Sequence, residues 1–184
     1  RVLFRSDFLA FVNLWRWLEA QREALGSAAY RRTVSRHFLS WLRVREWRAL
    51  HRQLHLACRE RGWRENGAPA DAEAVHRALL PGLLGQLGLR TERGDYLGAR
   101  GLRFQLFPGS ALFRKPPPWV AAAEIVETSR VYARTVATVD PAWVEPEAGH
   151  LVRRQHDAPH WRRRRGRVMA TERVTLYGLP IVEG

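Results

Sequence analysis

Apolar residues recur at helical spacing in the first half of the chain and at strand spacing in the second. Phe8, Phe11, Leu14, Trp15 and Leu18 follow a 3.6-residue period behind Ser6 and Asp7, either of which can cap a first helix that Gly26 ends. A short helix over about 27–35 follows, and a third over about 43–61. Trp47, Leu50, Leu54 and Cys58 form its apolar stripe, with Arg45, Arg48, Arg52 and Arg59 elsewhere around it. Asp71 caps a fourth helix through Val75, Leu79 and Leu80, whose second half Pro81, Gly82, Gly85 and Gly88 make short, kinked or closely packed.

From Asp95 the period drops to 2. Tyr96-Leu-Gly predicts one strand, and Leu102, Phe104 and Leu106, alternating with Arg103, Gln105 and Phe107, predict another. Two more follow in the run from Trp119 to Val139, which Thr128 and Ser129 interrupt as a tight reversal or a bulge. Strict alternation there puts Val131, Ala133, Thr135, Ala137 and Val139 on one face and Arg130, Tyr132, Arg134, Val136 and Thr138 on the other. Asp140 caps a helix opened by Pro141, which brings Trp143 back onto the sheet. Residues 153–167 read as a polar, basic loop, and 169–182 as strand with no obvious place among the others. The fold class is α+β: a helical bundle over 1–90, a small OB-type barrel with its closing helix over 91–150, and a basic, partly extended segment over 151–184.

Charge sharpens this picture. The net charge is +13 over 184 residues, and of 31 basic residues only Lys115 is a lysine. Arginine favours forked contacts to phosphate and carboxylate. Both ends of the chain are basic and the strand region 118–150 is mildly acidic. The single cysteine, Cys58, excludes an internal disulfide, and no apolar run is long enough to span a membrane. The chain reads as cytoplasmic, and its start at Arg1 without Met reads as a piece of something larger.

Little in the sequence argues for catalysis. Gly82, Gly85 and Gly88 lack the Lys-Ser/Thr of a nucleotide-binding loop and read as close helix packing. His150, His156 and His160 cluster, but Cys58 is distant and no zinc shell is completed, so no metal is assigned. Ser110 reads as a turn residue, and Glu124 and Glu127 fall on opposite faces of one strand. No catalytic or cofactor-binding residue is assigned. What stands out is arginine beside aromatic residues, the composition with which single-stranded nucleic acid is held. Arg130, Tyr132 and Arg134 form one such group, although a solvated strand face would read the same way. The arginines of the third helix form a second, and the run at 162–165 a third.

The ordered series Ser6-Asp-Phe-Leu, Asn13-Leu-Trp, Phe38-Leu-Ser-Trp-Leu-Arg-Val-Arg-Glu-Trp, Ala78-Leu-Leu-Pro-Gly-Leu-Leu, Phe107-Pro-Gly-Ser-Ala-Leu-Phe and Glu127-Thr-Ser-Arg-Val-Tyr-Ala-Arg-Thr resembles the C-terminal accessory region of the bacterial DEAH-box RNA helicases of the HrpA type. Asp140-Pro-Ala-Trp-Val, Pro159-His-Trp and Val168-Met-Ala-Thr-Glu-Arg-Val-Thr-Leu-Tyr-Gly-Leu-Pro continue the resemblance nearly to the end of the chain. The resemblance implies a helical ratchet and an OB fold that close the RNA channel of a 3′-5′ translocase. It implies ATP and magnesium bound in ATPase domains absent from this chain, which alone would lack ATPase activity. Arg43, Arg45, Arg130, Tyr132 and Arg134 lie inside matching motifs and are the RNA-binding candidates. The partners implied are RNA and those ATPase domains. A different reading is a module that docks a regulatory protein on the barrel around Glu124 and Glu127.

Overall fold

The computed structural model describes residues 6–162 and 167–183. Its contacts divide the chain into two compact units, one of residues 11–70 and one combining the segment before residue 11 with residues from Asp71 onward.

The helical unit holds most of α1 (Asp7–Ala24) with α2 (Ser27–Arg36) and α3 (Trp41–Glu60). Leu18, Tyr30, Val34 and Val44 are its buried centre, wrapped by Trp17, Trp41 and Trp47. Ser40 starts α3 by accepting the Arg43 N–H, as an N-cap should. The face that α3 buries is not the one its leucines mark. Leu50 and Leu54 are 52% and 57% exposed, while Val44 is buried, Trp47 packs 5.1 Å from Trp15, and His51 stacks on Trp15 at 4.4 Å. The inward side of α3 therefore runs through Val44, Trp47 and Arg48 and keeps Trp47 and Cys58 of the predicted stripe but not its leucines, while His51 stays exposed as it stacks on Trp15.

In the other unit, α4 (Ala72–Leu79) is capped by the Asp71 carboxylate, which accepts the Ala74 N–H at 2.7 Å. Two 3-10 turns, Leu80–Gly82 and Leu84–Gln86, then end the helical stretch where Pro81 removes a donor. The first barrel strand, β1 (Leu87–Arg90), begins before the change of period at Asp95 and was not legible as a strand. With β2 (Tyr96–Gly98), β3 (Arg103–Leu106), β4 (Trp119–Glu127) and β5 (Val131–Thr138) it closes a barrel in the order β1-β2-β3-β5-β4. β3 and β5 are the parallel pair, and the other pairs are antiparallel.

Tyr96, Phe104, Leu106, Leu112, Val120, Ala122, Ala133 and Val136 fill the interior. Phe104 lies so close to the β1 and β2 backbones that a Cβ on Gly88 would come within 2.4 Å of its ring, and one on Gly98 within 3.0 Å. Gly88 thus serves close packing, but in a strand, whereas Gly82 and Gly85 have open space around them. Tyr96 stacks on Phe104 at 5.6 Å and donates its hydroxyl to the Pro117 carbonyl at 2.6 Å, and burial pushes its phenol up to about 12.

The turn at 128–130 resolves the interruption of the β4–β5 run as a tight reversal, the Thr128 N–H donating to the Arg130 carbonyl. After β5, Asp140 caps α5 (Pro141–Ala148) by accepting the Ala142 N–H at 2.9 Å, as predicted. The segment read as a basic loop is instead a long strand, β6 (Val152–Arg162), paired with β7 (Arg167–Leu176) and through it with β8 (Leu179–Glu183). The register of β6 shifts between Asp157 and His160, around Pro159, which has no N–H for the ladder. Leu176, Leu179 and Ile181 of this second sheet join Val144 and Ala148 of α5 and Trp119, Ala121 and Val139 of the barrel in one buried cluster. Among the described residues no helix is long and apolar enough to cross a membrane.

Candidate nucleic-acid interface

The predicted alternation of β5 holds up to Arg134 and then fails at Thr135. That residue has φ +52°, a left-handed backbone that a β-branched side chain rarely adopts, and it shifts the phase of the strand by one. Ala133 and Val136 both face the barrel interior, three residues apart, and Val136 is fully buried instead of sharing the outer face with Arg134. The opposite strand shifts in step. Ala122 is buried in the same cluster and Ile125 packs on it, so the β4–β5 register stays constant while the ladder skips Ala123 and Thr135.

Asp7 stabilises this kink. One carboxylate oxygen accepts the Val136 N–H at 2.9 Å, the residue after the kink, and the other accepts the Ala111 N–H at 2.9 Å. Ser6, immediately before it, is buried, bridges Ala137, and its hydroxyl lies 2.7 Å from His76 Nε2. Burial lowers the pKa of His76, opposed by a hydrogen bond with the backbone of Ala72. A single carboxylate thus ties β5 to the loop that follows β3, and those are the two segments that carry the outer aromatic group.

That group is Phe107, Tyr132 and Arg134. The parallel pairing of β3 and β5 sets Gln105 beside Tyr132 and Leu106 beside Ala133, and the Phe107 N–H continues it by donating to the Ala133 carbonyl at 3.0 Å. The Phe107 ring meets Tyr132 edge to face at 6.0 Å, and the Arg134 guanidinium carbon lies 4.8 Å above the Phe107 ring. Gly109 leaves room for the ring, since a Cβ there would approach it to 3.0 Å. Phe107 is nonetheless 38% exposed and Arg134 exposed. The arrangement offers a fixed guanidinium on an aromatic base, able to contact a phosphate or to lie against a nucleobase. Phe107 was not among the predicted site residues. Its place opposite Leu106 in the alternation of β3 was the available signal.

Arg130, the third predicted member, is exposed in the turn between β4 and β5. Glu124 is the cross-strand neighbour of Arg134, and Glu127 that of Val131. Arg43 and Arg45 belong to the helical unit. Arg43 is held by Glu46 at 2.9 Å with its side chain 80% exposed, and Arg45 lines a shallow groove of about 350 Å³ on α3 with Leu42, Glu46, Arg48, Ala49 and Arg52. Arg48 of that groove is itself paired with Glu19 at 3.1 Å. The structure therefore brings Tyr132 and Arg134 together with Phe107 and places Arg43 and Arg45 on a separate helix face.

Among the described residues no three His, Cys, Asp or Glu side chains approach closely enough to hold a metal ion. His150 is exposed, whereas the side chains of His156 and His160, and those of the arginine run at 162–165, lie outside the described residues.

Residues 75–151 match the family described as an oligonucleotide/oligosaccharide-binding (OB) fold. The chain is 53% identical over 178 residues to the ATP-dependent RNA helicase HrpA of Escherichia coli (strain K12), covering 96% of this chain. It is 47% identical over 179 residues to the HrpA homolog of Haemophilus influenzae, covering 97% of this chain. In both cases it spans only 14% of the relative's length. A crystal structure of the E. coli DExH-box NTPase HrpB superposes on 73% of this chain and 17% of that one with a TM-score of 0.52 at 19% identity, a likeness of fold.

Proposed function

Because this chain is a C-terminal accessory region of the HrpA type that carries an OB fold, we propose that its barrel contacts single-stranded RNA through Phe107, Tyr132 and Arg134. The observation that carries this reading is the guanidinium of Arg134 held 4.8 Å over the Phe107 ring on the barrel's outer surface. A cation fixed in this way meets a phosphate or a base with less loss of side-chain freedom than a solvated arginine. In the parent protein the region would close the RNA channel and assist strand separation during 3′-5′ translocation in the cytoplasm. ATP and magnesium would belong to ATPase domains outside this chain. Gly82 and Gly85 stand in 3-10 turns with no Lys-Ser/Thr behind them, which does not fit a phosphate cradle. Arg130 at the adjacent turn would add a backbone contact, and Arg43 and Arg45 weaker, solvated ones. Sequence preference would be slight, as expected of stacking and phosphate contacts.

The test is the affinity of this chain for a fluorescent RNA of about a dozen nucleotides across a salt series. Phe107→Ala and Arg134→Ala should each weaken binding by about fivefold or more, Arg134→Ala with a shallower salt slope, and Arg45→Ala by less than about twofold. Equal affinity of the Phe107→Ala, Arg134→Ala and unaltered chains would move the contact off this face. Absence of binding at low salt would favour a protein partner on the barrel.

A further inference from the structure

Two turns in the barrel unit share an unusual feature. The β7–β8 hairpin is closed by Tyr177 and Gly178 alone, with φ +50° and +82°, between the paired residues Leu176 and Leu179. The link from β2 to β3 contains Arg100 and Gly101, with φ +57° and +76°, and is closed by the Leu102 N–H donating to the Ala99 carbonyl at 3.2 Å. Positive φ at both central residues defines the type I′ turn, whose first central position favours Asn, Asp or Gly. Here those positions hold a tyrosine and an arginine, so each turn keeps a large side chain at a backbone cost.

The two turns are joined. The Arg100 N–H donates to the Tyr177 carbonyl at 2.9 Å, and with Gly85, Ala99, Gly101 and Leu102 the two residues line a surface hollow of about 610 Å³. Neither residue is consumed by the core. Arg100 is exposed, and Tyr177 is 37% exposed. None of the residues lining the hollow is acidic, its walls are backbone and small apolar groups, and its two large side chains are a flat ring and a guanidinium. A ligand that satisfies both has a flat face and a negative charge.

We propose that the paired turns form a second nucleotide site for single-stranded RNA, with a base stacked on Tyr177 and a phosphate held by Arg100. This rests on the RNA-binding reading of the Phe107 face. Nothing in the turn geometry needs a ring at 177 or a guanidinium at 100, so the turns themselves do not account for either side chain.

The same chemistry supplies a clean test. Tyr177→Asn and Arg100→Asn place the preferred residue in each turn, so both variants should melt no lower than the unaltered chain. With an RNA of about a dozen nucleotides, Tyr177→Asn should nevertheless lose about five- to tenfold in affinity. Arg100→Asn should lose a similar factor and flatten the log-log salt slope by about 0.7. With 4-thiouridine in the RNA, photocrosslinks should map to the peptide containing Tyr177. Full affinity in both variants, with affinity lost in Phe107→Ala, would overturn this site and leave the Phe107 face standing. An unaltered chain that binds no RNA at low salt would overturn both.

Discussion

Arg134 on the barrel and Arg45 on α3 look alike in sequence: each directly follows an apolar residue, Ala133 or Val44, and has a second arginine nearby. Their surroundings differ. Arg134 sits over Phe107 beside Tyr132, on two segments that the half-buried Asp7 carboxylate ties together. Arg45 projects from a regular helix next to Glu46 and Arg48, in a groove with no aromatic floor. The difference lies in what fixes the cation rather than in how many cations there are. A helix face presents charge, whereas the kinked strand presents charge with a direction, and on the proposed RNA-binding reading only the second would limit how a nucleotide is held.

The severest way to break this contrast is Phe104→Ala, which empties the ring position beneath Gly88 and Gly98. It should cost about 3–5 kcal/mol, seen as a lower urea midpoint. Hydrogen exchange should show protection lost across the barrel strands while α3 keeps its own. A uniform loss over both would show that α3 depends on the barrel. Next comes Asp7→Ala, which leaves the Val136 and Ala111 amides without their acceptor and should cost about 2–3 kcal/mol. Those two amides should exchange faster than their neighbours, and RNA affinity should fall as in Arg134→Ala while the Arg45 contribution stays unchanged. An Asp7→Ala chain of unaltered stability would mean that the kink at Thr135 holds itself.

The smallest effect sharpens the comparison through pH. His76, packed against Ser6, has a pKa below its ordinary 6.5 because it is buried. The unfolded chain therefore takes up a proton first. Stability from this group is complete above pH 6.5 and falls as pH drops through that value, until the folded imidazole also titrates. The urea midpoint should decline over that window, and His76→Gln should remove this part of the decline. An identical profile in the variant would assign the acid sensitivity elsewhere.

How much of this was legible in sequence depended on whether local chemistry alone decides. Asp71 and Asp140 are short polar residues placed where a helix must begin, so their caps could be read directly, whereas Ser40 caps α3 two residues before its predicted start. The buried face of α3 could not, because the helix has two apolar candidates and the rings of α1, distant in sequence, select between them. β1 was hidden by Gly88, which weakens a strand signal but is required beside Phe104. β6 was hidden by its arginines and by Pro159, which resemble a loop until β7 is present to pair with them. Alternation read Tyr132 and Arg134 onto one face, and both meet Phe107 there. The same alternation misplaced Val136, because nothing about Thr135 by itself announces a positive φ.

The Asp7 contacts have a temporal side as well. The carboxylate and the Val136 amide are 129 positions apart. At translation rates of roughly 5–20 residues per second, the aspartate would wait on the order of 10 s for its partner to be synthesised. Throughout that interval α1 can form but the strand that bears Arg134 does not exist, so during synthesis the clamp closes only after α1 to β4 have emerged. Where refolding of the complete chain keeps this order, substitutions at Asp7 leave the folding rate nearly unchanged and appear almost wholly as faster unfolding, with a φ-value near zero, and a φ-value near one would place the clamp in the nucleus. The residue that sets the geometry of the Phe107 face would then be a brake on its disassembly and no part of its nucleus.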